Sequence, residues 1–363
     1  MIRSRLSPTA PGESQIRRRV VVVVVGALVA ITIAGIPGAG AAEMASNPAF
    51  PSPGLAPKAT GALLPLVSAR STTVQPCGRT RTPRTWDHVI WIWLENHSVN
   101  QTIGSTSSSA GRSMPYFNGL ARSCGLATNY HAITHPSLPN YLNAVSGSST
   151  ARSNCSPRSC SQRQTSLLTL LNRSHKTWRV YSESMSSACS ARDVGLYRVK
   201  HNPAPYFPAL GRTCRLGNQP LGTPTRGNFA SALAHSRVAR FNFVVPNMCN
   251  SAHDCSLAAG DRWLRLWVPR ILASQSYRAG RTAIFVSWDE GAGGRHGMSC
   301  ATSTDQSCHV ATVVVSPSTR RGARSAISFS HWSLLRTTEE MLRVRPLLGH
   351  SARSNSMRRA FGL

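Results

Sequence analysis

The segment HVIWIWLE, residues 88–95, decides the fold class of this chain. Its middle is an uninterrupted apolar run between His88 and Glu95, which is typical of a strand buried on both faces. Trp91 and Trp93 alternate with aliphatic residues, so we interpret them as packing residues. Strands buried on both faces belong to parallel sheets that helices cover on each side. The segment therefore predicts an α/β protein.

Strand and helix patterns alternate along the chain on the C-terminal side of this segment. The pattern predicts further strands at 177–184, 240–247, 282–290 and 309–317, and helices at 166–174, 261–274 and 331–343. Alternation of this kind implies a three-layer α/β sandwich with a mostly parallel central sheet. We expect one domain over 85–350, followed by a basic C-terminal tail over 351–363.

The N-terminal residues 1–41 have the pattern of an export signal. Arg17–Arg19 precede an apolar run over Val20–Ile36, and small residues after it allow cleavage following Ala41. An uncleaved membrane anchor is the alternative, since the run approaches the length of a membrane span. Residues 42–84 are rich in Pro, Ala, Ser and Thr and predict a linker. We therefore expect a secreted or extracytoplasmic protein.

The cysteines agree with export. All 10 lie beyond the predicted signal, and an even number in an exported chain indicates disulfides. Close spacing suggests the pairs 155–160, 249–255 and 300–308. No CxxC motif occurs, so a thiolate metal site is not favoured.

The formal charge is +28, from 41 Lys and Arg against 13 Asp and Glu. A strong positive field favours anionic partners such as phosphate esters, anionic lipid or envelope polymers. The arginines are scattered, so a compositional bias spread over a solvated surface explains them equally well. No aromatic–basic motif or DNA-binding module occurs, and we predict no specific nucleic-acid partner.

Acids and imidazoles stand at the ends of the predicted strands. In open α/β sheets, ligands bind beyond the carboxyl ends of the strands. A buried carboxylate without a partner is costly, so each acid there needs an arginine or a metal. Several such ends together favour a divalent metal such as zinc, manganese, magnesium or calcium. The candidate ligands are Glu95, Asn96, His253, Asp254, Asp289, Glu290 and His309.

The segment THPSLPNYLNAVSG, residues 134–147, holds a candidate nucleophile. Ser137 stands between Pro136 and Pro139, before a helix that we expect to open at Asn140 or Tyr141. A hydroxyl there faces unpaired N–H groups and the positive end of the helix dipole, which suits an anion. A plain helix cap is the alternative. Beside a metal, such a serine could attack phosphorus.

Eight segments, in the same order, resemble the bacterial phosphoesterase family, which includes acid phosphatases and phospholipase C-like enzymes. The family looks like a branch of the alkaline phosphatase superfamily. The resemblance covers about residues 86–345 and implies an alkaline phosphatase-like fold and a metal-dependent, acid phosphatase-like phosphoesterase. Phospholipase C-like phosphodiester cleavage is the alternative. The segments are ENHSVNQTIG, THPSLPNYLNAVSG, TWRVYSESM, KHNPAPYF, VPNMCNSAHDC, GDRWLRLWVPRIL, SWDEG and HVATVVVSP with FSHWSLLRTTEEML.

The resemblance also implies roles for individual residues. Ser137 matches the nucleophile, the candidate ligands named above match metal-site positions, and His201, Asn202 and His331 are candidate pocket residues. A turn at His201–Asn202 and a capping or core role for His331 are the alternatives. Ser251 stands where the family pattern has an acid. That departure leaves open a second metal, and a degenerate protein that only binds anionic envelope polymers.

Overall fold

A computed structural model of the protein describes residues 75–363. The predicted signal and most of the predicted linker lie outside the described residues. The strands are β1 (His88–Leu94), β2 (Gly125–Ala127), β3 (Tyr130–His131), β4 (Trp178–Ser182), β5 (Asn218–Pro220), β6 (Phe241–Val245), β7 (Thr282–Trp288), β8 (Thr312–Val315), β9 (Arg324–Ser325) and β10 (Phe329–Ser330). Every strand predicted from the sequence is present, with shifted ends.

The three predicted helices are present as well. The α-helices are α1 (Val99–Thr102), α2 (Ser109–Ser113), α3 (Pro115–Ser123), α4 (Ser137–Ser146), α5 (Leu167–Arg173), α6 (Arg212–Gly217), α7 (Asn228–Ala234), α8 (Leu257–Ala273), α9 (Gln275–Arg278), α10 (His331–Leu342) and α11 (Arg358–Phe361). Short 3-10 turns lie at 199–201, 204–206, 208–210, 306–308 and 349–353.

Eight strands form the central sheet, in the order β5-β4-β6-β1-β7-β8-β2-β9. The first five are mutually parallel, and β8 runs antiparallel to both of its neighbours. The prediction of a mostly parallel sheet is confirmed. Because β8 is reversed, its first residue lies at the edge where β1, β6 and β7 end. Strands β3 and β10 form a separate parallel pair.

Side-chain alternation along β1 places helices on both faces of the sheet. Trp93 contacts Tyr141 of α4 and His331 of α10 on one face. Trp288 of β7, paired with Leu94 and therefore on the opposite face, contacts Phe117 of α3. Helices α4 and α10 thus form one outer layer, and α3 with its contact partner α8 belongs to the other. The three-layer prediction is confirmed.

Five disulfides join the ten cysteines. The expected pairs 155–160, 249–255 and 300–308 are present, and the remaining cysteines pair as Cys77–Cys124 and Cys189–Cys214. Within residues 75–363, no helix has the length and apolar character needed to cross a membrane. This disulfide content is typical of an extracytoplasmic protein.

The C-terminal residues 351–363, which the sequence suggests as a basic tail, pack against the domain. Ser351 donates a hydrogen bond to Glu339 of α10 at 2.6 Å. Phe361 and Leu363 are buried. This segment therefore contributes to the core.

Candidate active site

Parallel pairing of β1 with β7 brings two acidic residues side by side. Leu94 pairs with Trp288, so the next residues, Glu95 and Asp289, leave adjacent strands at the same edge. Both side chains are fully buried. Asn96 follows with a φ of 54°, a left-handed conformation that asparagine tolerates better than most residues. Its backbone N–H donates to Asp289 Oδ1 at 3.2 Å.

Helix α4 places Ser137 against these acids. The helix begins at Ser137 itself, so the expected start at Asn140 or Tyr141 was wrong. Pro139 fits in the first turn because the N–H groups there need no helical partner. Ser137 Oγ lies 3.4 Å from Glu95 Oε2 and 3.4 Å from Glu290 Oε1. The buried hydroxyl thus stands between two carboxylates at the positive end of the helix.

The basic side chains that contact these carboxylates are histidines. Burial raises the pKa of Glu95, Asp289 and Glu290. The charge of Asp289 raises the pKa of both glutamates further, to about 7 for Glu290. Within 75–363 no lysine or arginine lies at ion-pair distance from them. Instead, His201 Nε2 lies 3.1 Å from Glu95 Oε2.

Three further residues hold the carboxylates, and sequence reasoning assigned none of them a role. Tyr141 donates its hydroxyl to Glu95 Oε1, and Asn140 donates to Glu290 Oε2 at 3.1 Å. His135 Nδ1 lies 3.0 Å from Glu290 Oε2. Burial lowers the pKa of His135, but the neighbouring Glu290 outweighs that effect and raises it. The signal for Asn140 and Tyr141 was their spacing of three and four residues from Ser137, which places them on one helix face.

The residues at the strand ends fit a divalent cation. Asp289 Oδ2 is buried and has no hydrogen-bond partner among the described residues. One terminal atom of the Asn96 amide lies 3.0 Å from Glu95 Oε2 and 3.2 Å from Asp289 Oδ1. A nitrogen there donates to both carboxylates, whereas an oxygen there gives three converging acceptors, an arrangement that suits a cation. Carboxylate and amide oxygens are the donors that hard divalent ions prefer.

Another group of potential ligands is not a metal site. His135 lies near the sulfurs of Cys300 and Cys308. The two sulfurs are joined in a disulfide, so neither is a thiolate.

A cavity of about 280 Å³ opens beside Glu290. Its wall includes Asn96, His135 and a glycine-rich loop over 291–297, which carries His296. A Cβ atom on Gly294 would lie 1.9 Å from His135 Nε2, so only glycine fits there. The loop therefore packs directly on the imidazole that contacts Glu290.

His253 and Asp254 lie near the carboxylate group rather than within it. His253 Nδ1 bonds to Asp254 Oδ1 at 2.7 Å, and both side chains are partly exposed. The His253 ring centroid lies 6.0 Å from that of His201, which contacts Glu95. Ser251 accepts the Glu95 N–H on its backbone oxygen at 2.9 Å, while its hydroxyl bonds to Met248.

His309 is not brought together with the carboxylates. Its Nε2 lies 2.9 Å from the Thr128 carbonyl oxygen, and its ring lies beside that of His131. Both histidines line a different cavity. The chain that enters β8 thus reaches the expected edge of the sheet, but the contacts of the His309 ring are with Thr128 and His131.

The predicted pocket residues occupy three different positions. His201 is buried against Glu95. Asn202 donates to Tyr197 and Asn218, within the packing behind the site. His331 is buried, with Nε2 2.6 Å from the Asp289 carbonyl oxygen and Nδ1 3.1 Å from the Tyr130 hydroxyl. Since both its nitrogens are engaged, His331 supports the Asp289 backbone.

Solved structures of other proteins share this fold. A protein in the alkaline phosphatase superfamily from Vibrio parahaemolyticus matches with a TM-score of 0.51 and 12% identity, over 74% of this chain and 69% of that one. The lipoteichoic acid synthase of Listeria monocytogenes matches with a TM-score of 0.53 and 9% identity, over 77% and 80%. The alkaline phosphatase-like fold prediction is confirmed.

The chain belongs to the Phosphoesterase family, whose model matches residues 93–345. The predicted family is confirmed. An acid phosphatase of Aspergillus fumigatus is 28% identical over 55% of this chain and 43% of its own length. A phosphatidylinositol-3-phosphatase of Mycobacterium tuberculosis is 28% identical over 71% and 77%. The chain spans about half the length of the acid phosphatases that it matches.

Proposed function

We propose that this chain hydrolyses phosphate esters through a phosphoseryl intermediate on Ser137. The observation that carries the proposal is the placement of Ser137 Oγ at the N-terminus of α4, 3.4 Å from a carboxylate oxygen on each side. A structural cap would not need two buried acids beside it, because such acids are costly to bury.

The proposed reaction has two displacements at phosphorus. In the first, Ser137 Oγ gives its proton to Glu95 or Glu290 and forms a bond to phosphorus, while the bond to the leaving alkoxide breaks and the alkoxide takes up that proton to leave as an alcohol. Both acids lie within 3.4 Å of the hydroxyl and are close enough to take that proton. In the second displacement, water attacks phosphorus and the Ser137 Oγ–phosphorus bond breaks. Inorganic phosphate leaves, and Ser137 regains a proton.

Glu95, Asn96, Asp289 and Glu290 are the residues that would hold a divalent metal. When bound, the metal supplies positive charge that lowers the serine pKa and neutralises phosphoryl oxygens. Tyr141 and Asn140 keep Glu95 and Glu290 in place by donating to the oxygens that face away from Ser137. His253 and Asp254 lie near this group and are proposed as further ligands, whereas His309 is held elsewhere by the Thr128 carbonyl oxygen.

A phosphate monoester is the substrate class that we propose first, since the matching relatives include acid phosphatases and a phosphatidylinositol-3-phosphatase. The formal charge of +28 favours anionic substrates and surfaces. Phosphodiester cleavage is the alternative within the same chemistry. We further propose that the protein is secreted, in keeping with its five disulfides.

A second candidate, a degenerate binder of anionic envelope polymers, rests on Ser251. The Ser251 hydroxyl donates to the Met248 carbonyl oxygen. Residue 251 therefore offers His253 no carboxylate partner, as an acid there could. The serine and the three carboxylates are all in place beside it, which favours the hydrolase.

The test compares hydrolysis of p-nitrophenyl phosphate and its phosphorylcholine diester, with EDTA and with added divalent metals. Ser137→Ala is expected to lower kcat by roughly 10³-fold or more, and acid-quenched wild type should carry phosphoserine. Ser146→Ala is the matched control, because it removes a buried hydroxyl from the other end of α4. Turnover in Ser137→Ala within a few-fold of wild type would exclude the mechanism. A folded wild type without turnover under any metal would favour the binder.

A further inference from the structure

A short loop over residues 190–198 presents apolar side chains to solvent. Its residues 191–196 are exposed without interruption. Val194 is 47% exposed and Leu196 is 44% exposed, and they are two of the five large hydrophobic side chains that are exposed in the described part of the chain. Single exposed apolar residues are ordinary on a protein surface, but two at one loop tip form a small apolar patch.

Hydrogen bonds hold loop 190–198 in one shape. Val194 and Tyr197 exchange backbone hydrogen bonds of 3.2 and 2.9 Å, and Gly195 between them has a φ of 54°, in the left-handed region that suits glycine. The Arg198 guanidinium donates to the Gly195 carbonyl oxygen at 2.6 Å, and Tyr197 is buried beneath the tip. The polar groups of the loop are thus bonded within it, while the two apolar side chains stay outside. A tip held in this way loses little conformational freedom when it binds a surface.

The charged side chains of this segment are mostly basic. Between positions 190 and 200, Arg192, Arg198 and Lys200 stand against the single acid Asp193. Among residues 75–363, neither Arg192 nor Lys200 forms an ion pair, and Arg198 lies 4.0 Å from Asp193. Bases beside exposed apolar side chains complement an anionic lipid surface, because the bases attract lipid phosphates while the apolar groups enter the acyl boundary.

The loop also lies close to the candidate active site. Only five residues separate Leu196 from His201, so the tip lies at most about 18 Å along the chain from the imidazole that contacts Glu95. The Leu196 carbonyl oxygen accepts a hydrogen bond from Met248 N at 3.0 Å, in the segment that leads to His253. A surface bound by the tip is therefore held near the carboxylates around the serine.

We propose that loop 190–198 docks on a bilayer that contains anionic phospholipid, with Val194 and Leu196 entering the boundary between headgroups and acyl chains. Arg192 and Lys200 bind lipid phosphates beside them. An acidic polymer offers the same charge but no apolar interior, so it would leave both apolar side chains in water. Docking itself does not depend on the proposed hydrolysis. If both hold, phosphate esters carried on lipid headgroups are favoured over the same esters free in solution.

The test places a tryptophan at the tip of the loop in the full chain. All eight native tryptophans lie within 75–363, where seven are buried and Trp332 is half-buried. Brominated acyl chains quench tryptophans that enter a bilayer. Leu196→Trp should therefore be quenched by vesicles of brominated phosphatidylcholine and phosphatidylglycerol. Leu266→Trp, at an exposed leucine of α8, is the matched control and should not be quenched. EDTA is present throughout, so the readout needs no turnover.

Two further substitutions, made in the Leu196→Trp protein, separate charge from apolar contact. Arg192→Gln should raise the lipid concentration for half-maximal quenching by about fivefold, since one base near an anionic membrane contributes about that factor. Val194→Ser should raise it by roughly threefold to tenfold, because about half of that side chain is available for burial. High salt should weaken quenching as well, because it screens the attraction between the bases and the lipid.

Circular dichroism and Tm verify that each variant is folded. The proposal is overturned if Leu196→Trp is quenched no more than Leu266→Trp, or if vesicles without phosphatidylglycerol quench it equally well. A change in Leu196→Trp fluorescence with soluble polyglutamate, but not with vesicles, would assign the loop to an acidic polymer instead. None of these outcomes bears on Ser137, so the proposed hydrolase function stands or falls separately.

Discussion

Tyr141 is the neutral side chain that most directly affects the ionisation of Glu95. Its hydroxyl donates to Glu95 Oε1, inside a site where burial already raises the pKa of that acid. Tyr141→Phe keeps the ring packed against Trp93 but removes the donor. We expect a further rise in the pKa of Glu95 and roughly ten- to a hundredfold weaker divalent metal binding at neutral pH, since a bond to a charged group contributes about 1.5–3 kcal/mol.

Calorimetric titration with Mn²⁺, together with kcat on p-nitrophenyl phosphate, checks this prediction. Tyr181→Phe is the matched control, because Tyr181 is a buried tyrosine on β4 that lines a different cavity. Equal Mn²⁺ affinity in wild type and Tyr141→Phe would show that Glu95 does not depend on this donor.

Among individual residues, the sequence could predict those whose place in the site follows from their place in the chain, directly after a strand. Glu95 and Asp289 were accessible to such reasoning because residues that follow neighbouring parallel strands must meet. His135 was not, since its contact with Glu290 depends on how the segment before α4 turns. His309 was expected near the serine because it precedes β8, yet the Thr128 carbonyl holds its ring elsewhere.

The glycine-rich loop 291–297 is the element whose backbone most directly limits the site. A Cβ atom on Gly294 would overlap His135 Nε2, a ring held in place by burial and Glu290. Gly294→Ala should therefore displace the imidazole and lower kcat by about ten- to a hundredfold, as expected for a misplacement near 1 Å. The free energy of unfolding should also fall, by roughly 1–3 kcal/mol, because the new methyl group overpacks a buried ring.

Gly293→Ala is the control substitution in the same loop, because it strains the backbone without contacting His135. Gly293 has a φ of 79° and open space around its Cβ position. Alanine there should cost about 1 kcal/mol of backbone strain without touching His135. Steady-state kinetics and urea unfolding of both variants separate the two effects. If both variants lose kcat equally, the loop matters through its mobility and the contact with His135 is not the cause.

For the strands and helices, the length of the element decided whether the sequence could predict it. The apolar runs of β1, β6 and β7 and the amphipathic pattern of α10 were long enough to be recognised. Strands such as β3 and β9 have two residues each and carry no period of their own. The start of α4 was misjudged because proline was treated as a reason to delay the helix, although the first turn accepts it.

At the scale of the whole molecule, charge is divided between surface and interior. The chain carries a formal +28, yet among the described residues several carboxylates are fully buried and no lysine or arginine is. Composition could indicate the positive field, but only the fold shows that the arginines leave the central acids unpaired.

One buried acid outside the site, Glu339 of α10, makes global stability depend on pH. It accepts hydrogen bonds from Leu348 N at 2.9 Å and Ser351 Oγ at 2.6 Å.

Burial raises the pKa of Glu339 from its ordinary value of 4.5 to about 7. Between these two values the folded protein keeps a proton that the unfolded chain has lost. The free energy of unfolding should therefore fall as pH rises from 4.5 to 7, by up to about 3 kcal/mol from this group. Glu339→Gln removes the titration while still accepting from Leu348 and donating to Ser351.

We expect Glu339→Gln to flatten this part of the stability profile and to exceed wild type in stability above pH 7. Its neighbour gives a control of opposite sign. Burial raises the pKa of Glu340, but bonds from Arg336 and Ser356 outweigh that effect and lower it. Glu340→Gln should therefore lose stability at neutral pH, and lose less of it in acid. Urea unfolding at several pH values tests both variants. Parallel profiles for wild type and Glu339→Gln would mean that Glu339 is ionised in the folded protein throughout this range.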